Sequence, residues 1–378
     1  MFKTPQKLTG PILIVGCAEK MPDLRYVIGF SPVDPVVLLL AGQKGFLVVP
    51  ALEAGRAARH AHPRLKILTP QEILPAKAAR RDRGAWALAL ARKVRVRAVL
   101  VPPDFPVGLA RELEAAGLRV TVAAVALFPG RRKKNAAEVK KIRESQRAAT
   151  RAMKKAVGMI RRASVTRSGQ LALGGTPLTS ERVRRAIEIT LLENGAMATE
   201  TIVAGGRQGA DPHERGAGAL RAGQPIVLDI FPRHQAHGYW GDLTRTVVKG
   251  RASDAVRRMH TAVKAAHAAA LSEARAGQPV GVVHAAACAA LESRGFKTAW
   301  RGAASEGFIH NTGHGVGLEI HEAPTLGEGE TRLAAGDVVT IEPGLYYRRL
   351  GGVRIEDTVL VTKRGARVLD PCPYYFEV

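Results

Sequence analysis

Short apolar runs alternate with stretches of helical period through the first third of this chain. Runs over residues 11–15, 36–40, 45–49, 98–101 and 119–124 read as strands. Residues 53–60, 80–93 and 107–116 read as helices, the last closed by Gly117. Strands alternating with helices predict an α/β layer. That layer carries no phosphate-cradling glycine loop and no nucleophile elbow, so no chemistry is assigned to it. At F-P-G-R-R-K-K-N, residues 128–135, Pro129, Gly130 and four cations break the pattern. Two domains are expected, 1–129 and 130–378.

Beyond the break, Asn135 reads as an N-cap, and Glu138 three residues on completes a capping box. The following helix sets Val139, Ile142, Ala149, Met153, Ala156 and Ile160 on one stripe, as a core-facing helix requires. A second helix is expected from Ser180 to before Gly195, with Val183, Ile187 and Leu191 inward. A third is capped by Ser253 and runs to Ala276, and a fourth covers 282–294 and stops at Gly295. Residues 168–178 read as a glycine-containing loop. Strands are expected over 201–204, 225–231, 243–248, 337–341 and 353–361, forming an antiparallel or mixed sheet backed by helices.

The chain has 378 residues, which exceeds what one core usually serves. No apolar run approaches the roughly 20 residues that span a bilayer. The N-terminus, M-F-K-T-P-Q-K, has no apolar stretch of signal-peptide type. Cys17, Cys288 and Cys372 are widely spaced and odd in number, so they read as free thiols in a reducing compartment, the cytoplasm. The net charge is +24, and it is segregated. Residues 131–190 hold 17 Lys/Arg against 4 Asp/Glu, whereas residues 191–378 hold 21 against 20. No aromatic interleaving or RNA-binding motif accompanies the excess, so it reads as solvated basic helix faces and not as a nucleic-acid surface.

The chemistry concentrates in the balanced half. The stretch from His310 to Glu322 holds His310, His314 and His321 together with Gly313, Gly315 and Gly317. Glycine lets backbone pass close to a neighbour and reaches φ > 0 freely, and an imidazole between two glycines is sterically open. Four acids lie on or beside the expected strands: Asp229 in Q-P-I-V-L-D-I-F, Asp242 in W-G-D-L-T-R-T, Glu342 in V-V-T-I-E-P-G and Glu356 in V-R-I-E-D-T. An unpaired carboxylate in a buried strand costs several kcal/mol or takes up a proton, and a cation removes the problem. A salt bridge to an arginine such as Arg245 or Arg354 would also account for any one of them. Four carboxylates and one imidazole, His314, suit two divalent ions such as Mn, Co, Fe or Zn better than one structural zinc.

The ordered set Asp229, Asp242, His314, Glu342, Glu356, with G-H-G-V-G-L-E-I-H-E, T-I-E-P-G and V-R-I-E-D-T, resembles the metallopeptidase family of methionine aminopeptidase, Xaa-Pro aminopeptidase and prolidase. The resemblance covers residues 130–378 and implies a pseudo-symmetric pita-bread catalytic domain. Residues 1–129 look like the creatinase-type N-terminal α/β domain of longer members. Asp229 would chelate one metal, Asp242 and Glu356 would bridge both, and His314 and Glu342 would bind the other. Manganese is the expected metal, with Co, Zn or Fe as alternatives.

By the same resemblance, a hydroxide between the ions would attack the scissile carbonyl, and Glu342 would shuttle protons to the leaving nitrogen. His213 and His321 match histidines that contact substrate and tetrahedral intermediate. His310 and Arg354 match the Xaa-Pro-cleaving branch. An Xaa-Pro peptide substrate, a homodimer and no membrane partner are implied. The Asp229–Asp242 interval is two residues longer than the family's usual one and brings in His234 and His237, expected near the site. Two alternatives remain: a catalytically silent binding module of the same fold using its basic surface, and a creatinase-like amidinohydrolase.

Overall fold

The computed structural model describes residues 10–75, 82–198, 200–302 and 304–378, divided into two compact units, 1–131 and 132–378. In the first, β1 (Ile12–Gly16), α1 (Pro22–Ile28), β2 (Val36–Ala41), β3 (Lys44–Val48), α2 (Ala51–His60), β4 (Leu65–Leu68), α3 (Pro70–Ile73), α4 (Arg83–Lys93), β5 (Ala98–Val101), α5 (Val107–Ala115) and β6 (Arg119–Val122) follow in order. The sheet order is β4-β3-β2-β1-β5-β6, parallel at β3–β4, β1–β5 and β5–β6 and antiparallel between. Ile12 and Ile14 enter one core while Leu13 and Val15 enter the other. Strands covered on both faces need apolar residues at successive positions, which is why β1 and β2 read as unbroken runs. Helix α1 and strand β4 were not expected. The expected start of α4 at Arg80 lies outside the described residues.

The second unit opens on α6 (Ala136–Arg162), where Asn135 Oδ1 accepts from Ala137 and Glu138 and Glu138 returns the bond to the Asn135 amide. All six expected stripe residues are buried. Strands β7 (Ser164–Val165), β8 (Leu171–Leu173) and β9 (Thr176–Pro177) make a small antiparallel sheet, so residues 168–178 are a hairpin and not the loop expected. Next come α7 (Ser180–Glu193), β10 (Ala196–Met197), β11 (Ile202–Gly205), β12 (Pro225–Ile230), β13 (Arg233–His234) and β14 (Leu243–Val248). Helix α8 (Asp254–Glu273) is capped by Ser253 and ends three residues before Ala276; α9 is Val280–Glu292. The chain closes with β15 (Gly313–Gly315), β16 (Glu322–Leu326), β17 (Val338–Ile341), β18 (Gly344–Tyr347), β19 (Gly351–Arg354), β20 (Asp357–Thr362) and β21 (Gly365–Val368).

Two antiparallel sheets result, β11-β12-β14 and β16-β15-β17-β20-β21. Helices α6 and α7 share one core with the first, and α8 and α9 share another with the second. The protein is therefore a mixed α/β structure in which two helix pairs back two sheets. Among the described residues no helix is long and apolar enough to cross a membrane. One expected strand is corrected. Residues 353–361 split into β19, paired with β18, and β20, paired with β17, because the Glu356 amide leaves both ribbons to bond the Thr244 carbonyl at 3.1 Å.

Candidate active site

Asp229 sits on β12, the central strand of its sheet, with every residue of the strand buried. Its register partners are Ile202 on β11 and Thr244 on β14. Asp242 immediately precedes β14. Gln146 on α6 clamps its backbone from both sides, accepting from its N–H at 2.9 Å and donating to its C=O at 2.9 Å. Gly241 makes this approach possible, since a Cβ there would lie 2.7 Å from the Gln146 nitrogen. Glu356 occupies the break between β19 and β20, and Glu342 follows β17, its amide bonded to Thr312 O at 2.8 Å.

His314 is the middle residue of β15, between β16 and β17. The flanking glycines do not serve positive φ, which neither adopts. They serve close packing: a Cβ on Gly313 would stand 2.0 Å from Thr340 O, and one on Gly315 2.5 Å from Ala323 O. The imidazole is open because its neighbours on the strand have no side chains. Its Nδ1 donates to Gly315 O at 3.1 Å, which fixes the ring with Nε2 turned toward the site.

Nε2 of His314 lies 3.2 Å from Glu342 Oε1 and 3.6 Å from Asp242 Oδ2. One ligand atom each from Asp242, His314 and Glu356 fall within 4.8 Å of one another. All five expected ligand residues line one cavity of about 700 Å³, together with His213, His310, His321 and Arg354. His234 and His237 do not line it. They stack on each other at 3.9 Å, with His237 Nε2 3.4 Å from Glu144 on α6, so the longer hairpin turns these rings elsewhere.

Of the two arginines weighed as salt-bridge partners, Arg245 pairs with Asp357 at 2.7 Å and with none of the five. Arg354 donates to Asp229 Oδ2 at 2.6 Å. Its other nitrogen, Nη1, donates to the Tyr346 hydroxyl at 2.7 Å, and that hydroxyl lies 2.9 Å from His310 Nε2. Tyr346 is fully buried and escaped notice in the sequence, because a tyrosine two residues past a P-G turn carries no signal of its own. Thr244, which donates to Glu356 Oε2 at 2.7 Å, was missed for the same reason.

The electrostatics of this cluster ask for cations. Burial, followed by the neighbouring carboxylate charges, holds both Asp242 and Glu356 well above the ordinary carboxylate range. Burial opposes charge on Glu342 and His314 too. Their mutual hydrogen bond overcomes it, bringing Glu342 down to about 2 and His314 up to about 9. Burial lowers His310 and His321. Asp229 Oδ1 and Glu356 Oε1 are buried without a hydrogen-bond partner. Orphaned carboxylate oxygens cost free energy unless something positive meets them, so the donor set fits divalent metal.

A model of metallopeptidase family M24 matches residues 140–363. The Xaa-Pro dipeptidase of Pyrococcus horikoshii is 29% identical over 360 residues, covering 93% of this chain and 90% of that protein. The Xaa-Pro dipeptidase of Pyrococcus furiosus is 37% identical over 191 residues, which span about half of each chain (50% and 52%). Among solved structures, the prolidase from Pyrococcus furiosus superposes with a TM-score of 0.78 at 26% identity, covering 96% of this chain and 97% of that one.

Proposed function

We propose, from the premise that this chain belongs to metallopeptidase family M24, that it is a dinuclear metal-dependent peptidase hydrolysing Xaa-Pro bonds. The observation that carries the reading is the buried cluster of Asp242, His314 and Glu356 with ligand atoms within 4.8 Å, beside two orphaned carboxylate oxygens. Asp229 and Asp242 would hold one divalent ion and His314 and Glu342 the other, with Asp242 and Glu356 shared. Manganese is the metal we expect, carboxylates and one imidazole also admitting Co, Zn or Fe. Paired ions at such a site supply an activated water and stabilise the developing oxyanion.

The protein's own groups do the rest. The Thr340 hydroxyl donates to Glu342 Oε1 at 3.2 Å and orients this carboxylate, which would take the proton of the attacking water and hand it to the leaving nitrogen. His213 and His321 line the same cavity and would flank the substrate. Arg354 holds Asp229 by one nitrogen and Tyr346 by another, so it orients a ligand carboxylate and, through the Tyr346 hydroxyl, the His310 ring. Ile202, Phe231, Ile309 and Ile320 give the cavity apolar walls against which a proline ring can lie. A proline nitrogen has no N–H, so contact with the ring replaces a hydrogen bond as the means of recognition. A homodimer in the cytoplasm, with residues 1–129 as a creatinase-type domain, completes the proposal.

The test is hydrolysis of Xaa-Pro dipeptides and longer Xaa-Pro peptides by metal-loaded protein, with elemental analysis in parallel. Two ions per chain and cleavage that falls about 10²–10⁴-fold in Glu342→Gln support the reading. Absence of any Glu342-dependent cleavage ends it. The chain-length series separates a dipeptidase from an aminopeptidase. The binding-module alternative predicts no metal uptake and salt-sensitive DNA or RNA binding instead.

A further inference from the structure

Several cations in the second unit are matched to carboxylates. Arg132 meets Asp337 at 2.7 Å, Arg257 meets Glu377 at 2.9 Å, and the buried Lys134 meets Glu322 at 2.5 Å. One cavity gathers cations with no carboxylate among its lining residues. It has a volume of about 510 Å³ and lies between the first turns of α6 and the strands β20 and β21. Lys140, Arg143, Lys363 and Arg367 all line it, and no Asp or Glu does. None of these four side chains is hydrogen-bonded or ion-paired to another described residue. Nε of Arg143 is moreover buried from solvent with no acceptor. A buried N–H without a partner is destabilising and rare in folded proteins, so it marks the place of a missing acceptor. Four like charges converging without a counter-charge repel one another, and an anion removes both costs.

We propose that this groove binds an organic bisphosphate, its phosphates received by Lys140, Arg143, Lys363 and Arg367 and its body by the apolar floor. The charge balances: a phosphate monoester carries about −1.5 to −2 at neutral pH, so two of them match four cations. Val139, Leu360 and Val361 form the floor and give a ring or sugar something to lie against, which inorganic phosphate would not use. The volume falls within the range of small-molecule sites. The site stands apart from the metal cluster and does not depend on the peptidase reading. It accounts for part of the positive charge gathered in residues 131–190, which the catalytic residues leave unused.

The experiment is calorimetric titration of metal-loaded protein with adenosine 3′,5′-bisphosphate and with fructose 1,6-bisphosphate in about 0.15 M salt, where unspecific attraction is screened beyond about 8 Å. Saturable one-to-one binding is expected, weakened at least about tenfold in Lys140→Ala/Arg367→Ala. Arg147→Ala/Lys155→Ala removes the same charge from exposed positions elsewhere on α6 and is expected to bind as the parent does. Tighter binding of the adenosine compound supports a nucleotide source. Equal binding supports the phosphate pair alone as the feature recognised. Three results overturn the proposal: no saturable binding of either probe, equal weakening in the control variant, or binding of duplex DNA only.

Discussion

Arg245 offers the sharpest test of how this site is held. Its guanidinium is 1% exposed and makes five hydrogen bonds. Nε donates to Pro373 O at 3.0 Å; Nη1 donates to Thr244 O at 2.9 Å and Glu356 O at 2.5 Å; Nη2 donates to Asp357 Oδ1 and Cys372 O, both at 2.7 Å. One side chain thus ties β14, the Glu356 break and the C-terminal segment together. Arg245→Met keeps most of the volume but takes the counter-charge from the buried Asp357 carboxylate and a donor from each of four carbonyls, of which Thr244 O keeps the Glu356 amide. Breaking one partner of a buried pair costs about 3–5 kcal/mol, because the other charge stays desolvated. Arg245→Lys keeps the charge but has at most three donors, so about half of that loss is expected. Urea unfolding of both variants reads the stability. Arg245→Met/Asp357→Asn should recover part of the loss, since it removes the stranded charge. Metal content and Xaa-Pro cleavage should fall with Arg245→Met, because the Glu356 carbonyl is released. A loss under about 1 kcal/mol in Arg245→Met would refute the reasoning.

Three further outcomes follow from the same geometry. Gly313→Ala forces a Cβ to 2.0 Å from the backbone Thr340 O, which cannot swing aside as a side chain would, so β15 must shift. We expect a loss of about 1–3 kcal/mol and about a hundredfold in activity as His314 moves; unchanged activity would contradict this. Burial brings His260 and His267 down to about 4. Since the folded pKa lies below the unfolded 6.5, their contribution is complete above pH 6.5 and is lost as pH falls toward 4. Each should cost up to about 2 kcal/mol between pH 7 and 5, and His260→Gln should flatten the melting curve against pH over that window. Because Asp242 and Glu356 resist ionisation when buried together, divalent metal should release protons and raise the melting temperature of chelator-treated protein. The gain is about 2.7 kcal/mol at a hundredfold excess over Kd, and no shift with Mn, Co, Zn or Fe would count against a metal site.

Much of this protein was written in local patterns. The capping box at Asn135, the stripe on α6 and the span of β14 follow from side-chain size and polarity over a few residues, and those forces act within one element. The acids at Asp229, Asp242, Glu342 and Glu356 stood out because a carboxylate in an apolar strand contradicts its surroundings. Tertiary structure decided the rest. That Arg354 binds Asp229 while Arg245 binds Asp357 depends on which strands meet, and both arginines are equally cationic in sequence. That residues 353–361 break at Glu356 depends on the Thr244 carbonyl, 112 positions earlier. The roles of Tyr346 and of the cationic groove beside α6 arise from convergence of distant segments, and no window along the chain contains their partners. Short-range preference names the candidates for a site; long-range burial and hydrogen bonding determine which of them meet.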